Sequence, residues 1–488
     1  MTPPFEVDVL VVGFGVAGAA AAVSAHDAGA RVCIVEKTSS GGGNCVHSGG
    51  FLFDIDGPRA VDHLDALCFG KTDRGVLEAY AGGLGDVPDF LESLGGTAPP
   101  VDAEAFGGML PSWPHFPGAG HVRYRQFVPA PGDRPGPGLW RVFERAVRER
   151  EIPVALGTPV VDLATSDDAV DGAIVERNGE RTTIAARRGV ILASGGFEAD
   201  PELRDTYLPL PLVSVGHQGN TGDTIRLAQA AGASLWHMSA FFGWLSFAHP
   251  DFPAAFTLDV HAPSFICVDG DGRRFADETG WEVHDRVRAL TAYLPRRANR
   301  PQLPGWIIFD EAARQAGPLH GIVGSPNGYA WSPDNSAEIA AGWIKTGADT
   351  AELAAATGVD LSILKDTLAD YAAAVTRRAD HEFGRTPATL VPLLAPLYAI
   401  QMTPGVATAS GGPRRDADAR VLRSGGGAGG DPIPGLFAAG AAGSIWGHLT
   451  EHGGGLTDAI VFGRIAGAEA ARATKLTTAG AAHARDDD

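Results

Sequence analysis

The apolar run Val7-Asp8-Val9-Leu10-Val11-Val12 leads straight into Gly13-Phe14-Gly15-Val16-Ala17-Gly18 and an alanine-rich stretch, and a second apolar strand, Val32-Cys33-Ile34-Val35, stops at Glu36. Strand, glycine turn, helix, strand and acid in this order form a dinucleotide fingerprint in its full context. Gly13 permits the tight turn, Gly15 lets the backbone approach a pyrophosphate at the helix N-terminus, and Gly18 allows close helix packing. Glu36 is placed to accept the adenosine ribose hydroxyls.

The fingerprint does not choose between NAD and FAD. The next segment, Gly41-Gly42-Gly43-Asn44-Cys45-Val46-His47-Ser48-Gly49-Gly50, holds two glycine clusters too close for a regular element, so it reads as a loop pressed against a ligand. Near the other end, Ile433-Pro434-Gly435-Leu436-Phe437-Ala438-Ala439-Gly440 is followed by Gly453-Gly454-Gly455-Leu456-Thr457-Asp458-Ala459, which opens an apolar helix. A cofactor held from both ends of the chain is long, which favours FAD.

These segments, together with Val190-Ile191-Leu192-Ala193-Ser194-Gly195-Gly196-Phe197, Thr221-Gly222-Asp223 and a Gly-Arg-Ile-Ala-Gly tail, resemble the flavoprotein superfamily of fumarate reductases and 3-ketosteroid dehydrogenases. The resemblance spans nearly the whole chain in the correct order. It implies an α/β fold: a Rossmann-like FAD-binding domain of glutathione-reductase-like topology with an inserted α+β cap domain. The expected boundaries are 1–240 for the first part of the FAD domain, 241–392 for the cap and 393–488 for the return. The implied FAD contacts are Gly13, Gly15, Ala17, Gly18, Glu36, Lys37, Gly42, Gly43, Asn44, Ser48, Gly49, Gly50, Val160, Ala193, Ser194, Gly195, Asp223, Gly440, Ala441, Gly455 and Leu456, with Val160 meeting the adenine through its backbone. His47 lies away from the place where some relatives attach FAD covalently, so a noncovalent cofactor is expected.

With 39 basic and 58 acidic residues the formal charge is −19, which argues against nucleic acid or an anionic membrane as partner. Cys33, Cys45, Cys68 and Cys267 show no metal, haem or iron-sulfur spacing, and read as thiols in a reducing cytoplasm. No run of 18 apolar residues occurs, and no basic segment precedes the first strand, so neither a membrane span nor a signal peptide is expected. Val154 to Ile184 reads as a strand-rich insertion broken at Asp167-Asp168 and Asn178-Gly179, and Ser424 to Gly430 as a flexible connection.

The resemblance also narrows the substrate by what is missing. Bidentate guanidinium pairing is how dicarboxylates are fixed. Where fumarate reductases carry paired histidines this chain has Ala407 and Thr408; their His-Gly-x-x-Arg motif reads Trp446-Gly447-His448-Leu449-Thr450, and the proton-donating arginine falls near Glu282. The usual ribityl-contacting glutamate is Ala441. Phe241, Phe242, Trp244, Phe247, Trp281 and Trp446 occupy regions expected to touch substrate, which points to a flat hydrophobic compound, with ordinary core packing as the competing reading. For the base at the reacting carbons the candidates are Glu451 and His452, with Tyr398 next; the competing reading of His452 is a hydrogen bond to flavin or backbone.

The reading is an FAD-dependent dehydrogenase or ene-reductase acting on a CH–CH bond beside a carbonyl of a bulky, steroid-like substrate. The alternatives are a small-acid enzyme of the fumarate type and a noncatalytic binding protein on the same fold. No haem, iron-sulfur, metal or NAD(P)H site is expected, so the electron acceptor is an external partner.

Overall fold

The computed structural model describes residues 3–102, 112–208, 211–280, 282–292, 302–320, 324–425 and 430–476. Trp281, and residues 426–429 of the expected flexible connection, lie outside them. The chain divides into two units, one made of Met1–Pro209, Gly219–Phe241 and Thr408–Asp488, the other of Leu210–Gln218 and Phe242–Ala407.

The first unit is built on a parallel sheet. Strand β1 (Glu6–Val12) pairs with β2 (Val32–Val35) on one side and with the strand Glu180–Leu192 on the other; beyond these lie Val154–Ala155 next to β2 and Pro432–Ala438 next to Glu180–Leu192. Val9, Leu10 and Val11 of β1 are fully buried, as a strand covered on both faces requires. Helix α1 (Val16–Asp27) follows β1, and its alanines combine the highest helix propensity with the smallest bulk. The helix Gly454–Arg472 packs against it so closely that a Cβ on Gly467 would lie 2.2 Å from the Ala21 carbonyl oxygen.

The sequence reading of the 154–184 region is found in the structure. Strands Val160–Ser166, Ala169–Arg177 and Glu180–Leu192 form an antiparallel meander, turning at Asp167 and at Asn178-Gly179, which adopt positive φ. Two positive φ values in a two-residue loop match the right-handed twist of the strands they join. A smaller antiparallel pair, β3 (Phe51–Ile55) with β4 (Val122–Gln126), brackets helix α2 (Ala60–Cys68) in the chain. Helix α2 and strand β4 each supply a polar partner of the late loop described below, and β3 supplies a ring contact.

The second unit centres on a seven-stranded sheet in which Leu397–Ala409 pairs with Gly305–Asp310, Ile344–Gly347 and Val213–Ser214. Residues 393–407 therefore lie in this unit and not, as the expected boundary at 393 had it, in the returning part of the first. From Leu397 onward, ladder hydrogen bonds bind the chain to this unit. The helical run from Thr350 is two helices, Thr350–Thr357 and Leu361–Arg377, capped by Asp349 and Asp360, whose carboxylates accept first-turn N–H groups. No helix of the described residues is long and apolar enough to cross a membrane.

Candidate active site

At the end of β1, Gly13 takes φ +103°, and a Cβ there would fall 2.5 Å from the Ala193 carbonyl oxygen. At Gly18 a Cβ would fall 2.0 Å from the Gly13 carbonyl oxygen. Gly15 differs. Its nearest neighbour would be the Gly42 carbonyl oxygen at 4.0 Å, so space is left above the first turn of α1, which has neither a side-chain cap nor an acidic residue. An uncapped helix N-terminus with open space before it suits an anion. Ala17 is buried, its methyl set against Gly440.

Glu36 is anchored at the end of β2. One carboxylate oxygen accepts the Phe14 N–H at 2.8 Å, and the other accepts the N–H and hydroxyl of Thr38 at 2.8 and 2.7 Å. Lys37 donates to Thr221 Oγ1 at 2.6 Å and Asp223 Oδ2 at 2.7 Å, so these two expected cofactor contacts engage each other. Val160 opens the meander opposite Val175. The Ser194 hydroxyl pairs with Thr224 at 2.6 Å, and Gly195 abuts Asn220.

In the glycine-rich loop, Gly42 donates its N–H to the Phe14 carbonyl at 2.7 Å and Gly43 starts a short 3-10 helix through His47. The Ser48 hydroxyl bonds the Cys45 carbonyl, while the Gly49 and Gly50 carbonyls accept from Gln126 and Phe127. Asn44 leads to a residue the sequence reading missed. Its amide donates to Glu198 at 2.8 Å, and Glu198, fully buried, also accepts from Asn220 at 2.6 Å and from the Ala409 N–H at 3.1 Å. Burial pushes the Glu198 carboxyl above its usual range against these donors. An acid placed directly after Gly195-Gly196-Phe197 was the available signal.

The late loop is the other half of the site. Trp446 is completely buried, edge-on to Phe53 and Tyr80 at 5.9 Å each, beneath the start of the Gly454–Arg472 helix. It is therefore a core residue and no substrate contact. Thr450 is buried as well, its hydroxyl turned to the Glu451 carbonyl and its own carbonyl held by the Trp113 indole N–H at 2.7 Å. Glu451 is 1% exposed. One of its oxygens lies 2.8 Å from His63 Nε2 and the other accepts the Tyr124 hydroxyl at 2.6 Å. With both oxygens committed inside the protein, Glu451 is not presented to a substrate, which corrects its reading as a candidate base. Burial and the adjoining carboxylate hold the Tyr124 phenol far above its usual value.

His452, half-buried, sets its ring edge-on to Phe51 with centroids 4.4 Å apart, and its N–H reaches the Ser112 hydroxyl at 3.4 Å. The helix that follows begins at Gly454 with Gly453 in the left-handed region and no side-chain cap, so Gly455 and Leu456 lie in its open first turn. Behind the loop, His237 bonds the Ser444 carbonyl at 2.8 Å, and burial lowers it to about 4, which keeps the ring neutral.

Tyr398 belongs to the second unit. It stacks on Phe309 and donates to Glu311 at 2.6 Å, and Arg314 with this hydroxyl lowers the Glu311 carboxyl to about 2. Tyr398 is thus a structural tyrosine there, which removes it from the base candidates. In the strand Phe241–Phe247, Phe241, Trp244 and Phe247 are buried; Trp244 packs with Val215 and Ala255, and Phe247 joins the core around Phe256 and Ile307. Trp244 and Phe247 thus serve the second unit's own core, and of the strand's aromatics only Phe242 retains partial exposure.

The family described as FAD binding domain matches residues 8–456. A probable fumarate reductase of Shewanella frigidimarina is 30% identical, with 96% of this chain and 76% of that protein covered. The chain belongs to the flavoprotein superfamily of fumarate reductases and 3-ketosteroid dehydrogenases. A 3-oxosteroid 1-dehydrogenase of Mycolicibacterium smegmatis is 28% identical, covering 94% of this chain and 96% of its own. Among solved structures, the 3-ketosteroid Δ1-dehydrogenase of Sterolibacterium denitrificans in complex with 1,4-androstadiene-3,17-dione superposes with a TM-score of 0.83 at 25% identity, covering 96% of this chain and 100% of that one. This flavoprotein is an FAD-dependent oxidoreductase of CH–CH bonds. The uncapped N-termini of α1 and of the helix Gly454–Arg472, with the space at Gly15 and Gly43, fit a long, anionic dinucleotide.

Proposed function

We propose that this flavoprotein binds FAD noncovalently and desaturates, or in reverse reduces, the bond beside a carbonyl in a bulky hydrophobic, steroid-like substrate, passing electrons to an external acceptor. Glu36 takes the adenosine ribose, the α1 N-terminus the pyrophosphate, Val160 the adenine, and the Gly455-Leu456 turn the flavin ring. The second unit acts as the cap over substrate. The acidic surface and four buried free thiols suit a cytoplasmic protein.

One observation carries the choice of substrate. Thr450 stands where fumarate-type members carry an arginine, and its buried hydroxyl is spent on the neighbouring Glu451 carbonyl. The guanidinium groups of Arg414 and Arg415 are committed to Asp73 and Asp458. A loop without that cation lacks the means to fix a dicarboxylate.

Bound FAD supplies the hydride acceptor, or the donor in the reverse direction. His452 takes the α-proton on an imidazole nitrogen, and Phe51 holds its ring. The N–H groups of Gly455 and Leu456 present the positive end of the helix to charge on the flavin. The fumarate-type reading is supported by the likeness to fumarate reductases, among them the Shewanella relative at 30% identity. Anaerobic mixing of the yellow holoprotein with a panel of 3-ketosteroids and cyclic ketones, and separately with succinate, decides between them. Bleaching of the flavin band by succinate, or turnover of fumarate with reduced dye at millimolar levels, would overturn the hydrophobic reading.

A further inference from the structure

Beneath the late loop, His63, Glu451 and Tyr124 are 0%, 1% and 4% exposed and belong to the first unit. His63 Nδ1 lies 2.9 Å from the Pro117 carbonyl oxygen and Nε2 lies 2.8 Å from Glu451 Oε1. A carbonyl oxygen only accepts, so Nδ1 carries a hydrogen. A neutral imidazole has one donor nitrogen and one acceptor nitrogen, which leaves Nε2 bare and facing a carboxylate oxygen. Two acceptors at 2.8 Å inside a protein repel, and each would be left unsatisfied at a cost of about 1–3 kcal/mol. One more proton removes the conflict.

We infer that His63 and Glu451 share a single proton between Nε2 and Oε1, so that the pair is neutral overall, and that this pair with Tyr124 positions the Thr450–Gly455 loop. Imidazolium with carboxylate and imidazole with carboxylic acid are the two limiting forms, and both carry zero net charge. Glu451 Oε2 is occupied by the Tyr124 hydroxyl, whose oxygen in turn accepts the Ser112 N–H at 3.0 Å. Helix α2 and strand β4 are thereby tied to one residue of the loop, and Trp113 holds the preceding carbonyl. His63 and Tyr124 are positioning residues of the site. That part of the inference rests on the proposed place of the loop beside the flavin; the shared proton does not.

The test uses holoprotein with 15N-labelled histidine. Both nitrogens of His63 are expected to be proton-bearing or proton-sharing, with a low-field exchange-protected proton signal, identified by its loss in His63→Gln. In Glu451→Gln the amide can donate to Nε2 and accept from Tyr124, so every hydrogen bond survives while Nε2 loses its proton. That variant should stay folded and yellow, lose the low-field signal, and keep its flavin midpoint potential, because a neutral pair is replaced by a neutral pair. A bare Nε2 in the unsubstituted protein overturns the inference. So does a potential that rises in Glu451→Gln, since this would report the removal of an unshared negative charge. If the low-field proton is present but His452→Ala leaves flavin reduction untouched, the shared proton stands and the reading of the loop as catalytic fails.

Discussion

The turn at Gly13 and the loop at Thr450 each feed a helix whose N-terminus has no side-chain cap, yet they are made of opposite materials. Around Gly13 the close contacts are backbone to backbone: carbonyl oxygens of Ala193 and of Gly13 itself stand where side-chain carbons would have to go. Around Thr450 the fixing groups are side chains drawn from remote sequence, His63, Trp113 and Tyr124. A turn specified by absent side chains tolerates almost no substitution and shows itself in a short motif. A loop specified by partnered side chains depends on residues more than 300 positions away in the chain.

The largest effect should therefore come from the nucleotide turn. Gly18→Val would drive a branched side chain into the Gly13 carbonyl, 2.0 Å from the new Cβ, in the packed interior between α1 and β1. Loss of more than about 4 kcal/mol, the upper range for single substitutions, and recovery of colourless protein are expected. A yellow, stable Gly18→Val protein would mean that the turn relaxes freely.

Glu451→Ala tests the other side of the contrast. It leaves His63 Nε2 without a partner and takes from the Tyr124 hydroxyl its carboxylate acceptor, and each buried polar group left unsatisfied costs about 1–3 kcal/mol. Chemical denaturation should place Glu451→Gln well above Glu451→Ala in stability. Equal midpoints would show that the loop is not held by these bonds.

The same contrast explains what could be read without coordinates. Gly13 to Glu36 declared a dinucleotide-binding turn because its glycines have local backbone reasons, and the choice of FAD needed the glycine segments at both ends of the chain. Asn178-Gly179 declared a hairpin for the same cause. Trp446 misled, because an aromatic residue beside a glycine looks alike from sequence whether it faces a cleft or fills a core; only its neighbours Phe53 and Tyr80, brought by β3 and another helix, decide. Glu451 misled for a related reason: an acid before a glycine run is a plausible base until His63 and Tyr124 are seen to occupy it. The boundary near 393 was missed since a strand's pairing partners are not written in the strand.

His452→Ala should separate chemistry from architecture. Removing a general acid-base group slows the step by typically about 100-fold or more. Stopped-flow flavin reduction should fall by that factor, with FAD still bound and the melting temperature little changed. Near-normal rates would shift the acid-base function to a group outside the loop.

Glu36→Ala should be milder than Gly18→Val although both lie in the nucleotide end, because the carboxylate adds hydrogen bonds to a turn that backbone contacts already fix. Loss of its bonds to Phe14 and Thr38, and to the ribose, should weaken FAD by roughly tenfold, equivalent to about 1.4 kcal/mol. Dialysis followed by absorbance reads it directly. Full retention would remove Glu36 from the ribose.

The smallest effect is expected from Trp113→Phe. The indole N–H donates to the Thr450 carbonyl at 2.7 Å, and phenylalanine preserves most of the apolar surface while deleting that single donor. One hydrogen bond contributes about 1 kcal/mol net, and the Glu451 anchors one residue later stay in place. Stability should fall by that order, and flavin reduction by less than for His452→Ala. If instead Trp113→Phe matches Glu451→Ala in either measurement, the loop is held chiefly by its backbone carbonyl, and the distinction drawn between a backbone-made turn and a side-chain-made loop collapses.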